Sequence, residues 1–225
     1  LLAMKRRADE RDGTTPETVK SGKVATKWAE NLVESIDRSR DSTLSRFLFA
    51  LGIQHVGEST AKALAAWFGD LELVRHTPWP LFKRVPDIGG EVARSIGHFL
   101  DQPGNQQVID ELLERGVRIS DAHPPSPKLA EGLDAATLLA DLEIPKVTAN
   151  RAERLLAAFA SPEALAWAPA HQFVTAGLPD DAAGSLHAWM ADEENRALYL
   201  RSLQAQRDLL GRLPKGEEVQ AGPLD

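Results

Sequence analysis

Two short stretches, Ile53-Gln-His-Val-Gly57 and Val85-Pro-Asp-Ile-Gly-Gly90, each set glycine directly ahead of an amphipathic run. After the first, Ala61, Leu64, Ala65 and Phe68 recur at i, i+3, i+4 and i+7, and after the second, Val92, Ile96, Phe99 and Leu100 share one face. That period is helical. A glycine turn entering a helix leaves backbone N–H groups without intrahelical partners, at the positive end of the helix dipole, where a phosphate oxygen fits. Two such turns close together constrain the chain to helices joined by tight hairpins.

The rest of the chain agrees with an all-α reading. A helical pattern starts near Val24 and runs through Trp28, Leu32 and Ile36, and a second covers Leu44 to Leu51. Pro78–Arg84 lies between the two hairpin helices, and Asn105–Arg115 closes the unit. Nothing alternates with period two long enough to make a sheet of consequence. Residues 1–19 are expected to be a lead-in and loop, 20–120 a first domain, 121–128 a proline-rich joint, 129–212 a second domain, and 213–225 a polar linker toward a further domain.

The second domain repeats the first. At a shift of 91 positions, Leu48, Leu51, Ile53, Val56, Ala61, Leu64 and Phe68 meet Leu139, Leu142, Ile144, Val147, Ala152, Leu155 and Phe159. At a shift of 90, Ser95, Ile96, Phe99, Leu100 and Asn105 meet Ser185, Leu186, Trp189, Met190 and Asn195. Register held through two helices and a hairpin implies duplication of a two-hairpin unit. The copy keeps the core positions and loses the glycines: Gly57 becomes Thr148, and Gly89-Gly90 becomes roughly Pro179-Asp180.

Charge limits how such hairpins could bind. The net charge is −7, distributed as +2 over residues 1–46, −3 over 47–117 and −6 over 118–225. With no broad basic field, contact with a polyanion must rest on local geometry and a few cations, and weak binding by this piece alone is expected. The absence of cysteine excludes disulfides and thiolate metal sites and fits a cytoplasmic origin. No apolar run approaches a membrane span and no signal peptide is expected, so no membrane partner is expected.

Residues 20–117 resemble the helix-hairpin-helix domain of bacterial NAD-dependent DNA ligases. The stretches that carry the likeness are Trp28-Ala-Glu-Asn-Leu32, Phe49-Ala-Leu-Gly-Ile-Gln-His-Val-Gly-Glu58 with Thr60-Ala-Lys62, and Asp87-Ile-Gly89 with Ala93-Arg-Ser-Ile96. The resemblance implies tandem helix-hairpin-helix units that bind duplex DNA through minor-groove phosphates. It also implies a parent chain with an adenylation domain, an OB-fold, a four-cysteine zinc finger and a terminal BRCT domain outside these residues. That parent joins nicks in replication and repair, adenylating itself from NAD with a divalent metal (Mg or Mn), and holds zinc in its finger. Its partner is nicked double-stranded DNA, its form a monomer and its location the bacterial cytoplasm, at the nucleoid. The turn before Trp28 reads Ser21-Gly-Lys-Val-Ala25 where the family has a Gly-x-Gly turn, and the unit at 129–212 departs from the usual pattern.

The residues expected to meet DNA follow from both readings. The amides around His55, Val56, Gly57 and Glu58 and around Ile88, Gly89, Gly90 and Glu91 would hold phosphates, with Ser59, Thr60 and Lys62 adding bonds at the first site and Arg94 at the second. Lys23 and Lys27 could compensate for the missing turn glycine. Glycine is expected at the hairpins for a positive-φ turn and close backbone approach. The plainer reading is that Gly57 and Gly89 merely start helices. In the copy, Lys146, Thr148 and Arg151, with Asn150 and Arg154, leave phosphate contact or a structural role both open. Asp180 and Asp181 make the last hairpin structural. His55 has no carboxylate or hydroxyl partner at useful spacing, so it reads as a hairpin tip and not a base. Most of the tryptophans (28, 67, 79, 167 and 189) fall on apolar stripes and are expected in the core. Lys5-Arg-Arg7 reads as solvated charge or a phosphate patch, and Asp192-Glu-Glu194 as a helix start.

No Lys-x-Asp-Gly motif occurs, and neither a metal-spaced His/Glu cluster nor a nucleophile–base arrangement replaces it. The chain alone is therefore expected to bind and not catalyse, with no cofactor of its own. Two rival readings remain open: a protein-interaction or spacer module, and a helix-hairpin-helix module of another DNA-repair protein.

Overall fold

In the computed structural model, which describes residues 23–214, helix follows helix from end to end. The first unit comprises α1 (Lys23–Ser39), α2 (Leu44–Ala50), α3 (Glu58–Phe68), α4 (Leu71–His76), α5 (Trp79–Phe82), α6 (Gly90–Asp101) and α7 (Pro103–Glu114). The second comprises a 3-10 turn (Pro127–Ala130), α8 (Ala135–Asp141), α9 (Ala149–Ala157), a second 3-10 turn (Pro162–Trp167), α10 (Ala170–Thr175), α11 (Asp180–Ala191) and α12 (Glu193–Arg212). The strands described are β1 (Asp41–Ser42) and β2 (Arg118–Ile119), a parallel pair that ties the start of the first unit to its end. The fold class is all-α, as the hydrophobic spacing implies.

Local chemistry explains several boundaries. Thr43, Asp70, Asp134 and Asp192 cap α2, α4, α8 and α12, each accepting a backbone N–H with its side chain. Gly69 ends α3 in the left-handed region at φ 71°. The Asp192-Glu-Glu194 helix start is thus observed, with Asp192 Oδ1 accepting from Asn195 N at 2.9 Å.

The duplication is visible atom by atom. Leu51 N donates to Phe47 O at 3.1 Å, and Leu142 N to Leu138 O at 3.2 Å. Val56 N reaches Ile53 O at 3.0 Å, and Val147 N reaches Ile144 O at 3.0 Å. The first bonds of α3 and α9, Ala61 N to Gly57 O and Ala152 N to Thr148 O, are both 2.9 Å. Positive φ recurs at Gly52 and Glu143 (68° and 56°), at His55 and Lys146 (64° and 68°), and at Asp87 and Gly177 (64° and 95°). Buried Phe68 packs edge-on against Phe82 with centroids 5.3 Å apart, and Phe159 meets Phe173 at 5.9 Å.

The two units share one core. Leu48, Leu64, Phe68, Phe82 and Ile96 from the first, and Leu139, Leu155, Phe173, Leu186 and Tyr199 from the second, are fully buried in a continuous cluster. Helix α5 contacts both α8 and α12. The proline-rich joint does not span free space: His123 N donates to Gly69 O at 2.9 Å and Ser126 N to Trp67 O at 2.8 Å.

Two side-chain expectations need correction. Helix α6 buries Ala93, Ile96, Gly97 and Leu100, leaving Val92 and Phe99 partly exposed. The face turns because Gly97 lies against Trp79, where an added Cβ would come within 2.6 Å of the Trp79 Cβ. Trp167 is 69% exposed, outside the core, with Arg196 stacked on its ring at 4.6 Å. Trp67, Trp79 and Trp189 pack partly buried against the core, and Trp28 falls outside the residues whose side chains are described.

Candidate nucleic-acid interface

Each hairpin is anchored by buried aliphatics and exposes its tip. Ile53, Val56, Val85 and Ile88 are buried, whereas Gln54, His55, Gly57, Asp87 and Gly89 are exposed. Burial of the aliphatic anchors holds the turn rigidly on the core, so the exposed backbone that follows is fixed in space. The hairpins also adjoin: His55 Nε2 lies 3.5 Å from Glu91 Oε1, so His55 does have a carboxylate neighbour, one that spacing along the sequence did not show. A cleft of 580 Å³ runs beside them, lined by Gly52, Gln54 and His55 from the first and by Arg94 and His98 of α6 and the following Gln102, among others.

The backbone geometry narrows the expected amide set. Val56 N–H is spent on Ile53 O and Ile88 N–H on Val85 O, at 3.0 and 3.2 Å, so neither can serve a phosphate. Those left at the helix starts are Gly57 to Thr60 and Gly89 to Val92, because the first α-helical bonds are made by Ala61 and Ala93, each at 2.9 Å. Gly57 and Gly89, the cap residues, have no side chain to accept a hydrogen bond from these amides.

The reason for glycine at these caps differs from expectation. Gly57 (φ −84°, ψ −178°) and Gly89 (φ −81°, ψ 175°) are ordinary extended residues. The positive φ angles fall instead on His55 and Asp87, at 64° each. An added Cβ at Gly57 or Gly89 would meet nothing within 4 Å. Neither the backbone angles nor the surrounding protein therefore requires glycine there; what a Cβ would obstruct is approach from outside.

Charged neighbours are arranged less simply. Glu58 pairs with Lys62 at 2.7 Å, which holds the Glu58 carboxyl below its ordinary range. Ser59 and Thr60 stand beside this pair at the start of α3. Gly90 is half-closed: the Glu143 carboxylate of the second unit lies over it, so that an added Cβ would come within 2.3 Å of Glu143 Oε1. Arg94 pairs with that carboxylate and stacks on Trp79 at 4.6 Å. Lys23 and Lys27 belong to α1, but their side chains lie outside the described residues, as do the Ser21-Gly22 turn and the Lys5-Arg-Arg7 run.

In the copied hairpin, Lys146 Nζ bonds Asp181 Oδ2 at 2.8 Å, in the place of the His55–Glu91 contact. Arg151 Nη1 donates to Lys146 O at 2.6 Å, stapling the turn, and Thr148 caps α9 without a side-chain bond. Both Lys146 and Arg151 thus have roles inside the protein. Sequence reasoning missed Lys83, Arg84, Asp141 and Glu143, which meet across the unit boundary. Glutamate at a position whose counterpart is Gly52 was the available signal.

Among the described residues, no group of three or more His, Cys, Asp or Glu could hold a metal ion, and no helix is long and apolar enough to cross a membrane.

Comparison with known proteins agrees with this geometry. Residues 46–109 match the family model of the helix-hairpin-helix motif, the stretch that contains both hairpins of the first unit. Over 203 residues, 90% of its length, the chain is 64% identical to a DNA ligase of Xanthomonas campestris pv. campestris (strain B100), of which it covers 24%. Over 204 residues it is 63% identical to a DNA ligase of Stenotrophomonas maltophilia (strain R551-3), of which it covers 25%. The chain therefore spans about a quarter of the length of the curated relatives it matches. The helix-hairpin-helix likeness read from the residues is shown, in a chain similar to one region of DNA ligases.

Proposed function

We propose that this chain is the DNA-gripping part of an NAD-dependent DNA ligase and holds duplex DNA around a nick. The observation that carries the proposal is the state of the two helix starts. Unpaired amides at Gly57–Thr60 and Gly89–Val92 lie on adjoining, rigidly anchored turns whose cap glycines have no protein atom within 4 Å of an added Cβ, with Glu143 lying over Gly90 at the second. Each start attracts an anion through its dipole, worth typically ~0.3–1 kcal/mol when exposed. Two such contacts, one per hairpin, suit the phosphates flanking a minor groove. Backbone amides read no bases, so the grip is indifferent to sequence.

The catalytic work would lie elsewhere in the longer chain. Adenylation from NAD, the divalent metal that assists it and the zinc of a finger domain are assigned to the rest of that longer chain, and nick sealing is proposed for the whole protein only. A monomeric, nucleoid-associated cytoplasmic enzyme of replication and repair is the corresponding cellular reading.

The test is a titration of this chain against a nicked duplex at increasing salt. Affinity should fall with salt and be alike for unrelated sequences, since neutralised phosphates release counterions at a slope of about −0.9 per contact. A salt-independent affinity would overturn the proposal.

A further inference from the structure

Glu143 occupies a backbone position that L side chains rarely adopt. Its φ is 56°, in the turn that closes α8, where the first unit has Gly52 at 68°. A non-glycine residue held in the left-handed region is a reason to ask what its side chain does. Here the side chain leaves its own unit. Glu143 Oε1 accepts from Lys83 Nζ at 3.0 Å, Oε2 pairs with Arg94, and the carboxylate lies over Gly90 at the start of α6. Those two cations hold the Glu143 carboxyl below its ordinary range, so it is an anion at neutral pH. An anion is thus already seated between two cations, against the second hairpin's helix start.

We propose that Glu143 is an internal stand-in for a DNA phosphate. When duplex docks on the second hairpin, a backbone phosphate takes the place of the carboxylate between Lys83 and Arg94, and Glu143 swings into solvent. This rests on the DNA-binding reading above and adds Lys83 to the residues that meet DNA.

The neighbourhood permits the exchange. The Glu143 side chain is 40% exposed and can swing outward, whereas Lys83 is 17% exposed and keeps a second partner in Asp141, whose Oδ1 lies 3.3 Å from Lys83 Nζ. Arg84 and Asp141, at 15% and 16%, are far less exposed, and their ion pair joins the units without Glu143. Trp79 carries the Arg94 guanidinium at 4.6 Å and keeps it poised at the same spot after the carboxylate leaves. The second unit accordingly tunes the grip of the first downward: DNA must displace a tethered competitor before it gains Arg94 and a share of Lys83, which Asp141 still holds.

The experiment measures binding of the whole 225-residue chain to a labelled nicked duplex at several salt concentrations, with melting temperatures as a check on folding. Glu143→Gln keeps the shape and removes the charge, and Glu143→Gly restores the residue that the first unit carries. Glu114→Gln, on α7, removes one charge away from the contact and controls for net charge. Both Glu143 variants should bind about three- to tenfold tighter than the control. Their log affinity should fall more steeply with log salt, by about 0.9 per cation freed for phosphate. Adding Lys83→Gln to Glu143→Gln should cancel Lys83's share of the gain and leave that of Arg94.

Affinity and slope equal to those of Glu114→Gln, or weaker binding, would overturn the proposal. In that case, salt-dependent binding by the unaltered chain would leave the DNA-binding reading standing. If neither the unaltered chain nor any variant binds DNA, that reading falls and the stand-in falls with it.

Discussion

Replacing Gly57 with aspartate separates a binding role from a folding role. The backbone at φ −84° and ψ −178° suits any residue, and an added Cβ meets nothing within 4 Å. Aspartate is among the best helix caps and improves on glycine by only a few tenths of a kcal/mol. A carboxylate at the dipole adds up to about 1 kcal/mol, part of which repulsion from Glu58 cancels. The net should be about 0.5 kcal/mol of stabilisation, or ~1–2 °C in melting temperature for a chain of this size. Binding should move the other way. The new carboxylate would accept from the Ser59 or Thr60 amide, taking a donor from the phosphate, and place a negative charge about 4 Å from it. Between bulk water and a typical surface dielectric, that repulsion is ~1–4 kcal/mol, and salt brings it toward the lower end. About 1.4 kcal/mol corresponds to a tenfold weaker Kd. Fluorescence anisotropy with a nicked duplex, paired with a thermal melt in the same buffer, reads both quantities. An unchanged Kd alongside intact melting would show that the first hairpin does not hold phosphate. Weaker binding accompanied by a lower melting temperature would show that Gly57 matters for folding instead.

Other expectations follow from the same coordinates. Gly89→Asp should behave as Gly57→Asp does in both the anisotropy and melting assays, since its Cβ site is equally open. Gly97→Ala should destabilise the chain by roughly 1–3 kcal/mol, because its Cβ would meet the Trp79 Cβ at 2.6 Å and the Trp79 Cα at 3.4 Å; an unchanged melting temperature would contradict that packing. The depressed carboxyls of Glu143 and Glu163 contribute stability that is complete above their ordinary value of 4.5 and is lost as pH falls through their lower folded values. Melting temperature should accordingly fall on acidification from about pH 5 downward, and less so in Glu143→Gln; an acid profile identical to the parent's would remove Glu143 from that account.

What was legible in the sequence was whatever depends on spacing. Ile53, Val56, Ala61, Leu64 and Phe68 are buried as their period requires, and so are their counterparts Ile144, Val147, Ala152 and Leu155. A shift of 91 in apolar letters also anticipated matching turns, and the structure adds a match that the letters did not show, the left-handed pair His55 and Lys146. Less legible was which residue of a turn bears the unusual backbone angle. His55 and Asp87 carry it, and the glycines that follow do not. Sequence reasoning assigned it to glycine because glycine bears that angle at least cost, while in these turns buried aliphatics on either side fix the chain path and leave a polar residue to absorb it.

The residues missed all act between units. Lys83 and Arg84, together with the expected Arg94, meet Asp141 and Glu143 at separations of 49 to 60 positions along the chain, and no periodicity links such positions. Their pairing also changes what the acidic second unit means. Read as composition, −6 over residues 118–225 opposes DNA. In the structure, two of those negative charges lie directly on cations beside the second hairpin. They draw those cations away from solvent more than they repel a distant phosphate, since screening limits the latter to about 10 Å at moderate salt. The copy has lost its own cap glycines, yet it holds the original at the point where one hairpin opens. If a DNA phosphate displaces Glu143 as proposed, a duplicated module without those glycines would still set how tightly the first unit grips.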